Sequence, residues 1–234
     1  MQRSLVGSEM CIRDSNPTGA IMRREDLEAV AKVLKDTNIM IASDEIYSEL
    51  TYSGKHCSIA EIEGMRERTI VINGFSKSFA MTGWRLGFLG GPKEIVSQML
   101  KLHQYAIMSS PTVSQYAAIV AMHSCQKDID AMRNEYNIRR RFVVDSFNKL
   151  GLKCFAPQGA FYVFPCIKST GMTSTDFCEK LVYTKKVAVV PGDAFGECGE
   201  GYVRVSYAYS LNHLREAIKR IGEFLEDIKN GNVQ

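Results

Sequence analysis

Lys77 lies between two hydroxyl residues, Ser76 and Ser78, shortly after the apolar run Thr69-Ile70-Val71-Ile72. That run reads as a buried strand, and the lysine then falls at or just past its C-terminal end. In open α/β sheets this is the end where ligands bind. Partial desolvation there lowers a lysine pKa and frees the amine as a nucleophile toward carbonyl compounds. Arg85 follows a Gly83-Trp84 corner and opens a second apolar run, Leu86-Gly87-Phe88-Leu89. A permanently charged guanidinium and a serine hydroxyl close to such a lysine suit a phosphorylated carbonyl cofactor. An arbitrary Ser-Lys-Ser is more often a solvated turn, and a lone arginine a surface strand end, so the surrounding pattern has to decide.

That pattern is Ser76-Lys77, a spacer, then Gly83-Trp84-Arg85-Leu86-Gly87. Asn16-Pro17-Thr18-Gly19 and Asp44-Glu45-Ile46-Tyr47 stand upstream, and Arg204-Val205-Ser206-Tyr207-Ala208 downstream. The four stations, in this order, resemble the class I/II aminotransferases, fold-type I enzymes that use pyridoxal 5'-phosphate. The resemblance implies that Lys77 forms the internal Schiff base and then moves the substrate's α-proton as general base and acid. It assigns Asp44 to the pyridine nitrogen, Tyr47 and Asn16 to the phenolic oxygen, and Ser76 and Arg85 to the phosphate. Arg204, with Asn16, holds the substrate carboxylate. Gly159-Ala160-Phe161-Tyr162 resembles a segment lining the substrate pocket. One departure weakens a phosphate contact: Gly74 stands where many relatives have serine. Residue by residue, other readings exist. Asp44 is equally a loop or cap aspartate, Tyr47 a core aromatic, Asn16 a plain turn residue and Arg204 an exposed strand arginine.

The implied activity transfers an amino group between an L-amino acid, aspartate-like or aromatic, and a 2-oxo acid. A carbon-sulfur β-lyase of the same fold is the alternative, and an aminotransferase-like sensor without catalysis a third reading. A homodimer is expected for the full-length enzyme, because the active site in this family is shared between subunits.

The elements that must position these residues alternate short apolar strands with helices, which argues for a mostly parallel sheet covered on both faces. Helices are predicted over 24–35, 93–105, 113–124, 128–150, 174–185 and 212–229, and strands over 39–42, 69–73, 86–90, 159–164, 187–190 and 202–207. The fold class is thus α/β: part of a fold-type I large domain over 16–150, including a linker helix, then a small α+β domain over 151–234. Met1 to about Ser15 shows neither strand alternation nor a helical apolar face, and it lacks the apolar core of a signal peptide. Residues 1–15 resemble translated sequencing-adapter sequence and are set aside as a non-native leader. By the family pattern, the rest corresponds to the C-terminal three-fifths of an enzyme, weakly active or inactive alone.

Composition sets the outer bounds. The 234 residues are 45% hydrophobic and 24% charged, the balance of a globular protein. A net charge of +3 argues for neither nucleic acid nor a membrane surface as partner. Seven cysteines without a Cys-x-x-Cys pair, and four scattered histidines, speak against a metal site. The odd cysteine count without a secretory signal fits reduced thiols and a cytoplasmic location.

Overall fold

The computed structural model describes residues 15–232, which form two compact units. Apart from Ser15, the segment read as a leader lies outside the described residues. The first unit is Ile21–Met132 and the second joins Ser15–Ala20 to the chain from Arg133 onward. The sequence reading placed the boundary at 150. The units instead divide inside a single long helix, because the later part of that helix buries Val143 and Phe147 whereas Ile129 is buried in its earlier part. Ser15–Ala20 joins the C-terminal unit because the Gly19 carbonyl accepts from both Gln158 N and Gly159 N, each at 2.8 Å. Ser15 is itself buried, and its carbonyl closes the turn onto Gly19 N.

In the first unit, α1 (Arg24–Leu34) buries Leu27, Ala31 and Leu34, one face at helical spacing, against Ile41, Ile59, Ile62 and Met65. The Asp26 carboxylate caps its start, accepting from Arg23 N at 2.8 Å. Strands β1 (Ile41–Asp44) and β2 (Thr69–Gly74) pair in parallel, with Asp44 opposite Ile72. Strand β3 (Gly87–Gly90) runs antiparallel to β2, so the three strands, in the order β1-β2-β3, make one parallel and one antiparallel pair. The link between β2 and β3 holds one helical turn, α2 (Phe75–Ser78), and a 3-10 turn, without the longer helix that usually covers a sheet in a crossover. Helices α3 (Lys93–Ala106), α4 (Thr112–Ser124) and α5 (Gln126–Lys149) follow, as predicted to within about two residues. Ala118 and Ala121 of α4 pack on Phe75, which anchors the turn carrying Lys77.

The second unit is built on an antiparallel sheet of order β4-β6-β5: β4 (Tyr162–Val163), β5 (Val190–Pro191) and β6 (Val203–Ser206). Two predicted strands are shorter than their apolar runs. Ala160 is in the left-handed region, at φ 56°, so extended pairing begins only at Tyr162. Lys186 ends the preceding helix in the same region, at φ 58°, and the chain reaches ladder geometry at Val190 rather than Val187. Helices α6 (Ser174–Lys185) and α7 (Leu211–Lys229) meet through Phe177 and Phe224, edge to face with ring centres 5.2 Å apart.

Candidate active site

Parallel β1 and β2 end together, which places Asp44 and the segment after Gly74 at one edge of the first unit's sheet. Glu45 N continues the pairing to Ile72 O at 2.8 Å, and Asp44 Oδ1 then accepts from Ile46 N at 3.0 Å, turning the chain so that Tyr47 is buried. Asn73 Nδ2 donates to Ser48 Oγ at 3.1 Å, which ties this turn to the end of β2. Lys77 lies in the single turn of α2, half-buried, with its Nζ 5.9 Å from the centre of the Tyr47 ring. Lysine, tyrosine and aspartate are therefore collected at one sheet edge.

The chain from Phe75 to Leu86 is a closed loop. Phe75 N donates to Leu86 O at 3.2 Å and Met81 N to Phe75 O at 3.1 Å. Thr82, which the sequence reading did not single out, links the two expected phosphate residues. Its Oγ1 donates to Ser76 O at 2.9 Å, and its carbonyl accepts from Arg85 Nη1 at 3.0 Å. Arg85 is exposed and left-handed, at φ 52°, a conformation that costs a non-glycine residue about 1–2 kcal/mol. Where Gly74 passes Gly87, a Cβ on Gly74 would lie 3.2 Å from Gly87 Cα and 3.2 Å from Leu86 O. A serine there would need these neighbours to give by a few tenths of an ångström.

A second residue to which the sequence reading gave no role is Glu45. It is buried, and its carboxylate accepts from Ser58 Oγ at 2.6 Å and Ser43 Oγ at 3.0 Å and meets His56 Nε2 at 2.7 Å. Burial by itself would raise its pKa. The hydrogen bonds from His56 and Ser58, the charge of His56 and the Ser43 bond outweigh burial and hold the carboxyl below its usual range. An acidic residue adjoining Asp44 was the available signal, but its burial comes from residues 56 and 58 folding back on it.

Asn16 and Arg204 belong to the second unit. Arg204 Nη1 donates to Asn16 Oδ1, so the two residues given to the substrate carboxylate are in contact. No aspartate or glutamate pairs with Arg204 among the described residues. Its guanidinium carbon instead lies 4.5 Å from the Tyr162 ring centre and 4.8 Å from that of Phe195. Gly159-Ala160 lies close by in sequence and is fixed by Tyr207, whose hydroxyl donates to Ala160 O at 3.1 Å.

The family model described as "Aminotransferase class I and II" matches residues 14–221. The chain belongs to this family. A putative aminotransferase of Bacillus subtilis (strain 168), YugH, is 50% identical over 211 residues, covering 90% of this chain and 55% of the relative. An aspartate aminotransferase of Pyrococcus abyssi is 46% identical over 217 residues, covering 92% of this chain and 56% of the relative. Among solved structures, the aromatic aminotransferase from Pyrococcus horikoshii OT3 matches with a TM-score of 0.92 and 44% identity, over 95% of this chain and 60% of that one. These neighbours show the fold-type I aminotransferase fold. The chain spans about 55% of the length of the curated relatives it matches.

Other site types find no support among the described residues. There is no cluster of histidine, cysteine, aspartate and glutamate able to hold a metal, and no helix long and apolar enough to cross a membrane. The six described cysteines are free. Burial pushes the Cys154 thiol up to about 12, and burial with the charge of Asp193 does the same to Cys178, which makes both poor nucleophiles at neutral pH.

Proposed function

We propose that this chain carries the lysine-bearing part of a pyridoxal 5'-phosphate-dependent aminotransferase, with Lys77 as the residue that holds the cofactor. The observation that carries the reading is the half-buried residue Lys77, with its amine 5.9 Å from the ring of buried Tyr47, at the end of the sheet where β1 delivers Asp44. The donor set fits the cofactor: an amine for its carbonyl carbon, a carboxylate for its ring nitrogen, a phenol for its ring oxygen, and a hydroxyl and a guanidinium for its phosphate.

Bound there, the cofactor supplies an electron sink for the bond broken at the substrate's α-carbon. Asp44 would keep a proton on the ring nitrogen by charge. Tyr47 would donate to the phenolic oxygen. Ser76 and Arg85, joined through Thr82, would hold the phosphate. Lys77 Nζ would move a proton between the substrate's α-carbon and the cofactor. Arg204 with Asn16 would hold the substrate carboxylate, a role supported by the absence of a protein carboxylate on that guanidinium.

The substrates in this reading are an L-amino acid, aspartate-like or aromatic, and a 2-oxo acid, supported by the names of the Pyrococcus relatives. A homodimer in the cytoplasm belongs to the same reading and rests on the family resemblance. Because the chain spans 55% of its relatives' length, it is expected to turn over slowly or not at all by itself.

The test is borohydride reduction of the chain with pyridoxal 5'-phosphate, followed by peptide mass spectrometry. The expected adduct is on Lys77, lost in Lys77→Ala, with modification elsewhere unchanged. Adducts spread over the surface lysines, with Lys77 no different, would overturn the assignment. Pyruvate and ammonia released from an amino acid without a 2-oxo acid would point to a β-lyase instead.

A further inference from the structure

Arg204 stands on the central strand of its sheet, with β4 and β5 on either side. Tyr162 pairs opposite Ser206, which makes it a diagonal neighbour of Arg204 on the same face. Phe195 comes from the other flank, in the 3-10 turn Gly192–Phe195 that follows β5. Both rings pack on the guanidinium carbon, at 4.5 and 4.8 Å to their centres. Phe195 is itself braced edge to face on Phe164, at 6.4 Å and 81°, and Phe164 stacks on Tyr202, at 5.2 Å and 8°. A row of aromatic rings thus ends on one cation.

A guanidinium carries five N–H donors in one plane, and a carboxylate meets them edge-on and bidentate. Arg204 uses one donor among the described residues, on Asn16. An arginine side chain otherwise keeps considerable rotational freedom, which binding must remove.

We infer that Tyr162 and Phe195 are positioning residues that fix the plane of the Arg204 guanidinium and leave an edge for a planar carboxylate, in preference to a tetrahedral oxyanion. The inference rests on the reading of Arg204 as the carboxylate clamp. The rings also exclude water from the guanidinium, so that a single carboxylate is bound more strongly than by a solvated arginine. Phe195 carries most of the effect open to substitution, since Tyr162 is buried in the sheet face.

The experiment is arginine side-chain ¹⁵N NMR on the purified 234-residue chain, with Arg204 assigned through Arg204→Lys and with sodium pyruvate and inorganic phosphate as probes. The Arg204 Nε–H signal is expected to be shifted by ring currents, with slowed rotation of its terminal nitrogens. It should move on addition of pyruvate far more than with phosphate. Phe195→Leu should restore free rotation and weaken pyruvate binding about tenfold, while Phe195→Tyr, which keeps the ring, should retain both properties. A freely rotating Arg204 in the unsubstituted chain, or a Phe195→Leu chain that binds pyruvate as before, would overturn the positioning role alone. Pyruvate binding that survives Arg204→Lys, or an Arg204 signal indifferent to pyruvate, would overturn the clamp itself.

Discussion

Glu45 shows how a single buried charge can organise a site without belonging to its chemistry. It follows Asp44 directly, and its three partners hold the 43–58 region around the turn that delivers Asp44 and Tyr47. Its carboxyl is held below the usual range in the folded chain, so the ionised form favours folding. That contribution is complete above the unfolded-state pKa of about 4.3 and is lost as the pH falls through the lower folded-state value. Glu45→Gln is expected to cost about 1–3 kcal/mol of stability near neutral pH. The difference from the unsubstituted chain should shrink as the pH is taken below the ordinary carboxylate range. Urea denaturation over a pH series checks this, and a difference that stays constant down to strongly acid pH would contradict it.

Elements were legible in the sequence in proportion to how local their causes are. Helix α6 runs Ser174–Lys185 as predicted, with Thr173 capping its start by accepting from Asp176 N at 3.1 Å. Strands β4 and β5 came out shorter, because left-handed residues at Ala160 and Lys186 interrupt apolar runs that look continuous in one dimension. Motif order singled out Lys77, Asp44 and Tyr47, which the fold collects at one end of β1 and β2. Glu45, Thr82 and Phe195 were not singled out, since each matters through a partner brought by the fold. The end of α6 gives a prediction at this scale. Lys186 holds a left-handed cap that glycine adopts without steric cost. Its Nζ bond to Tyr183 O, at 2.9 Å, is exposed and contributes little. Lys186→Gly is therefore expected to stabilise the chain by about 0.5–1 kcal/mol, read as a rise in thermal midpoint. A fall would mean that the lysine's contacts outweigh the backbone strain.

At the scale of the whole chain, the first unit carries apolar side chains that its own core does not cover. No residue of α3 is buried, and Leu102 and Tyr105 are 73% and 94% exposed, with Met108 just beyond at 81%. All four residues of the edge strand β3 are exposed, Phe88 and Leu89 among them. Soluble monomers rarely leave so much apolar surface in one region, and an unpaired strand edge adds a template for association. Sedimentation velocity on the purified chain should show concentration-dependent association. The association should strengthen in sulfate, which favours apolar burial, rather than weaken as an ion-pair contact would. Replacing Leu102 and Tyr105 together, as Leu102→Glu and Tyr105→Lys, should reduce it. Because both side chains already face solvent, the unfolding free energy should change by no more than about 0.5 kcal/mol. Unchanged sedimentation in the double variant would place the sticky surface elsewhere, with the β3 edge the next to block. A large loss of stability would instead mean that these side chains pack within the unit.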